Sequence, residues 1–160
     1  SGLIRQRVTD SLQTRRGTRN ALYLMEWLIV EVERADTGNH LWADYRFILK
    51  KMGFCRAILT ISGDERSFCL QDSAHDDLSL LYSEVHQIGN NTSLRVYADK
   101  AYFSEGQFAI ISDLAAEAWS KASARWKSIN QEDLNFDAEA SEATDYQQQQ
   151  VRSLYRPTYD

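Results

Sequence analysis

At 160 residues with 43% hydrophobic content, the chain is long enough to bury a core and too apolar for global disorder. A net charge of −5 argues against nucleic acid as its main partner. Two cysteines form no disulfide framework, which suits a reducing cytoplasm, and no apolar run approaches the ~20 residues that span a bilayer. Charge is unevenly spread. Arg5, Arg7, Arg15, Arg16 and Arg19 crowd the start against Asp10 alone, whereas Glu132, Asp133, Asp137, Glu139, Glu142 and Asp145 follow one another without a basic residue. An arginine-rich start faces solvent, phosphates, a cytoplasmic membrane surface or an acidic partner. The leading Ser1-Gly2 reads as a remnant of cloning, so the chain is expected to be a piece of something larger.

The first predicted element is a long helix over residues 3–35. Ala21, Met25, Leu28, Val32 and Ala35 form a stripe with steps of four and three, the spacing of one helix face. Leu22, Leu24 and Ile29 widen it. In the first half Arg15 and Arg19 interrupt the face, and Gly17 between them is expected to weaken the helix. Thr37-Gly38-Asn39 breaks it, with Asn39 as the expected N-cap of a second helix over about 40–52. Leu41, Tyr45, Ile48, Leu49 and Met52 mark that helix's inward face, and Gly53 stands where a left-handed C-terminal residue is wanted.

Four short strands follow. Residues 54–61 place Ala57, Leu59 and Ile61 on one face. Ser62-Gly63-Asp64-Glu65 is a turn, and Arg66–Gln71 returns as the second strand. Residues 79–88 fit a helix through Leu81 and Val85, or a strand through Leu80, Tyr82 and Ile88. The hairpin signal Gly89-Asn90-Asn91-Thr92, followed by the alternating Leu94, Val96 and Ala98, decides for strand. Ser104-Glu105-Gly106-Gln107 is a capping-box pattern. It opens the clearest helix, where Phe108, Ile111, Ala115, Ala118, Ala122, Trp126 and Ile129 step by three and four. Beyond Asn130 an acidic, then glutamine-rich segment reads as a tail, with Tyr146, Val151, Leu154 and Tyr155 as its anchors.

Motifs for chemistry are scarce. The glycines match no phosphate loop, and neither a G-x-S-x-G elbow nor an H-E-x-x-H pair occurs. Asp72-Ser73-Ala74-His75-Asp76-Asp77 has cation-binding residue types in unspecific spacing, so it reads as a polar loop and no metal is assigned. Cys55 beside Arg56 reads as packing, because adjacent strand residues point to opposite faces. The aromatic residues serve as core and rim, and only Phe68 and Tyr82 are candidates to line a ligand pocket. His86 beside Glu84 or Asp99 in a cleft would favour an enzyme.

The order helix, helix, strand, hairpin, hairpin, long helix resembles the GAF family of small sensory domains. More narrowly it is similar to the cytoplasmic GAF-like segment that follows the membrane part of some bacterial polyprenyl-phosphate glycosyl-1-phosphate transferases. Leu41-Trp42, Met52-Gly53-Phe54-Cys55-Arg56-Ala57 and Leu94–Val96 carry the resemblance, which covers roughly residues 20–128. It implies a regulatory or interaction module.

The expected fold is α+β: a small antiparallel sheet of about four strands packed against two N-terminal helices and one long C-terminal helix. Three parts are expected: a basic extension over 1–20, the GAF-like domain over 21–129 and an acidic tail over 130–160. The expected function is a non-catalytic cytoplasmic regulatory or assembly domain of a larger, membrane-associated glycosyl-1-phosphate transferase, working as a homodimer without nucleic acid or cofactor. Met25, Leu28, Val32, Ala115, Ala118 and Ala122 are its expected interface. The alternative is a small-molecule sensor with an enclosed pocket at Phe68 and Tyr82.

Overall fold

The computed structural model describes residues 2–70 and 77–138, with side chains from residue 14 onward. Helix α1 runs over Gly2–Glu31 and ends in a 3-10 turn at Val32–Arg34; α2 spans Gly38–Met52. Strands β1 (Arg56–Ile61) and β2 (Asp64–Cys69) form one hairpin, β3 (Leu81–Ile88) and β4 (Thr92–Asp99) another, and α3 (Glu105–Asn130) closes the order. The hairpins join through β1 and β4, giving an antiparallel sheet in the order β2-β1-β4-β3. The architecture is the expected α+β fold: two N-terminal helices, four antiparallel strands and a long C-terminal helix.

Local chemistry explains most element ends. Ser62 and Gly63 have φ of 51° and 88°, and two left-handed residues match the twist of a tight hairpin. The turn is therefore two residues long, and β2 begins at Asp64 rather than at the expected Arg66. Gly53 ends α2 at φ 105°, its N–H donating to the Leu49 and Lys50 carbonyls. The Ser104 hydroxyl accepts from the Gln107 N–H at 3.1 Å and starts α3.

At α2 the cap differs from expectation. Thr37, not Asn39, is the N-cap, its hydroxyl accepting from the His40 N–H at 3.1 Å. Asn39 instead accepts from Arg66 at 3.2 Å. The chain beyond α3 crosses α2 at Gly38. A Cβ there would sit 2.1 Å from the Asn135 carbonyl oxygen.

The helices lie on one side of the sheet: α3 contacts β3 and β4, α2 reaches Phe68 of β2, and α1 packs on α2 and α3. Alternation along the strands sends Ala57, Leu59, Ile61, Leu94, Val96 and Ala98 towards them, all buried. Tyr45, fully buried, donates its hydroxyl to the Ala115 carbonyl at 2.7 Å, and Trp126 donates its indole N–H to the Ala35 carbonyl at 2.8 Å. These two bonds fix α2 and the end of α1 against α3. Each satisfies the polar end of a ring whose apolar body is buried.

The core reaches past the C-terminal boundary drawn from sequence. Leu134 and Phe136 are buried in the main cluster. Arg66 holds this segment by lying 4.7 Å over the Phe136 ring and donating to the Asp137 carbonyl at 2.7 Å. Residues 131–138 therefore dock on their own chain, at β2 and α2. The anchors expected at Tyr146, Val151, Leu154 and Tyr155 lie outside the described residues. At the other end, Gly17 does not break α1. Its missing side chain admits Gln107 and Ile111 of α3, which a Cβ would meet at 3.0 Å.

Candidate functional site

The six residues expected at an interface face one another inside the chain. Met25 and Leu28 of α1, Val32 of the 3-10 turn that ends it, and Ala115, Ala118 and Ala122 of α3 are all buried in the main core. The cause is packing. The alanines of α3 let a neighbouring helix approach closely, and α1 of the same chain fills that space. Arg125 locks the pair by bonding the Ile29 carbonyl and the Glu33 carboxylate.

What α1 offers to the outside is a different face. Leu22, Tyr23 and Val30 are 40%, 65% and 63% exposed, and Phe47 of α2 is 46% exposed. Phe47 meets the half-buried Trp27 at a ring separation of 5.4 Å, and the Lys51 ammonium lies over the Phe47 ring at 5.7 Å. Arg16, Arg19, Tyr23, Trp27 and Val30 follow one another by three and four along α1, so they share one stripe. The stripe is basic at its N-terminal half and flanked by Glu26 and Glu33 in its C-terminal half.

Phe68 and Tyr82 do not share a pocket. Both point to the helix-covered face, but on β2 and β3, the two opposite edges of the sheet. Three strand spacings put them roughly 14 Å apart. Phe68 is buried beneath the Lys50 ammonium, and Tyr82 stacks on Phe108 at 5.4 Å. An open cleft of about 400 Å³ lies elsewhere, lined by Gly63–Arg66 and Phe136–Ala138.

The seam between β3 and α3 holds polar groups that sequence reasoning left apart. Glu84 pairs with Val96 and His86 with Leu94 across the ladder, so both carboxylate and imidazole lie on the helix side of the sheet. His86 Nε2 is 2.6 Å from the hydroxyl of Ser112, which is fully buried on α3, and 3.9 Å from Glu84 Oε2. Asp113, the next residue of α3, completes a group whose ligand atoms lie within 4.8 Å of one another. Asp99 falls on the opposite face, paired with Leu81.

This resembles a serine–histidine–acid set only in composition. A triad needs the acid on Nδ1 while Nε2 takes the serine proton. Here hydroxyl and carboxylate both approach Nε2. Ser112 is also closed off from substrate by its burial.

The thiols are equally quiet. Cys55 is buried, its Sγ 3.5 Å from the Tyr97 carbonyl oxygen, and burial pushes its pKa up. Cys69 is exposed on the sheet face that carries no helix. Asp72–Asp76 of the loop weighed for a cation lie outside the described residues; Asp77 accepts from the backbone and hydroxyl of Ser79. Among the described residues no helix is long and apolar enough to cross a membrane. No protein-family model, curated protein or solved structure matches the chain.

Proposed function

We propose that the chain is a non-catalytic regulatory or assembly domain that pairs with a second copy of itself through the outward stripe of α1 and Phe47. The observation that supports this is the set of exposed apolar side chains on the outward side of α1 and α2, Leu22, Tyr23, Val30 and Phe47, with the half-buried Trp27 in ring contact with Phe47. Contiguous exposed aromatic and aliphatic groups rimmed by charge mark protein contacts. The charges select the partner. A two-fold axis across α1 sets its basic half, Arg15, Arg16 and Arg19, against the half carrying Glu26 of the other copy, as an isologous contact requires. The GAF-like resemblance, attachment to a membrane-bound glycosyl-1-phosphate transferase and a place at the cytoplasmic face of the membrane belong to the same proposal. They rest on the sequence resemblance and on the basic start of α1.

Sedimentation equilibrium with a charge swap tests the pairing. Arg19→Glu is expected to weaken the dimer by up to about thirtyfold, since each exposed pair contributes about 0.2–1 kcal/mol and symmetry counts it twice. Adding Glu26→Arg is expected to restore it. A wild-type monomer at every concentration would overturn the proposal, as would an association constant indifferent to both changes.

A further inference from the structure

We propose that Glu84, His86 and Asp113 form a binding site for a divalent metal ion of the zinc class at the seam of β3 and α3. Glu84 and His86 are two residues apart on one strand, so their side chains share a face. Asp113 comes from the opposing helix, and the three ligand atoms already lie within 4.8 Å of one another. Donors around a tetrahedral zinc ion sit about 3.4 Å apart, given bonds of about 2.0–2.2 Å. Closing the difference needs only rotamer movement of Glu84 and Asp113, the two members with side chains free to turn towards water. His86 is the fixed member. Its side chain is 14% exposed, and the Ser112 hydroxyl holds Nε2, the nitrogen nearer Glu84, inside the seam.

The donor set decides the class of ion. One imidazole nitrogen and two carboxylate oxygens suit zinc and its first-row neighbours, whereas magnesium and calcium want oxygen throughout. An incoming ion takes the Nε2 lone pair in place of the Ser112 hydroxyl, which then turns to a liganding carboxylate. Three protein donors leave a fourth position for water. The placement also gives the ion a structural consequence. It adds a metal link between the edge strand β3 and α3, beside the Tyr82–Phe108 stack and the His86–Ser112 bond already there.

The test is calorimetric titration of the full chain with zinc, and separately with magnesium, alongside His86→Gln and Asp113→Asn. Asp113 is exposed, so its substitution leaves the core intact even if the His86 variant folds poorly. One zinc ion per chain is expected, weakened at least about tenfold by either substitution, with no response to magnesium. Zinc should also raise the melting temperature of the wild type and not that of Asp113→Asn. Absence of saturable zinc binding would overturn the site. So would binding unchanged in Asp113→Asn, which would place the ion on the thiols or on other histidines.

Discussion

Met25, Leu28 and Val32 on one side of α1, and Leu22, Tyr23 and Val30 on another, are alike in size and hydrophobicity and differ completely in surroundings. The first set is buried in the core, where α1 packs on α3 and α2; the second is 40–65% exposed. Both belong to a single helix, so local propensity does not separate them. Position around the helix axis does. The inward set lies opposite the alanines of α3, where backbones approach closely, and the outward set faces away from the core. The inward stripe therefore belongs to folding and the outward stripe is available for association. Substitutions that look equivalent in sequence should separate cleanly.

The largest effect is expected at the inward stripe. Met25→Glu buries an unpaired carboxylate and should cost about 4 kcal/mol or more, leaving little folded protein in thermal or urea denaturation. A folded Met25→Glu protein that had lost only its association would erase the distinction between the faces. Phe136→Ala comes next, at about 3 kcal/mol. It sharpens the comparison by testing whether the segment beyond α3 is core, as its contact with Arg66 requires, or a dispensable tail.

Tyr45→Phe should cost about 1 kcal/mol, through loss of the bond to Ala115. It carries a pH signature as well. Burial holds the Tyr45 pKa well above its ordinary 10.0, so the stabilisation is fully present below pH 10 and is lost as the pH rises beyond it, where the unfolded chain ionises and the folded chain does not. The alkaline fall in stability should be shallower in Tyr45→Phe. Cys55 and Cys69 repeat the inside–outside contrast on the sheet. A thiol reagent should modify Cys69 quickly and Cys55 only on unfolding; equal rates would contradict the burial of Cys55.

The sequence made much of this fold legible because strong local signals coincided with tertiary need. Ser104 and Gly53 end their helices as their chemistry demands, and Gly89-Asn90-Asn91 forced a hairpin that fixed β3 as a strand. The stripes of α1 and α3 were also visible, but periodicity shows that a face is apolar without showing what covers it. That is why Met25 and Ala118 read as an intermolecular contact. Gly17 and Gly38 were opaque for the same reason, since their value lies in Ile111 and Asn135, distant in sequence.

Glu84, His86, Ser112 and Asp113 had a signal that was not decisive. Residues 84 and 86 share a face with Tyr82 and Ile88, yet Leu81 and Val85 give the other face an equal claim to be inward. Only the register with β4 resolves it.

The smallest expected change in stability tests the central claim most directly. Tyr23→Glu with Val30→Glu should leave the melting curve within about 0.5 kcal/mol of wild type, because neither side chain contributes to the core. Native mass spectrometry of that double variant beside the wild type is the measurement to make. A dimeric wild type and a folded, monomeric variant are the result predicted. A wild type that is monomeric, or a variant that stays dimeric, would contradict the assignment of the outward face of α1 to association.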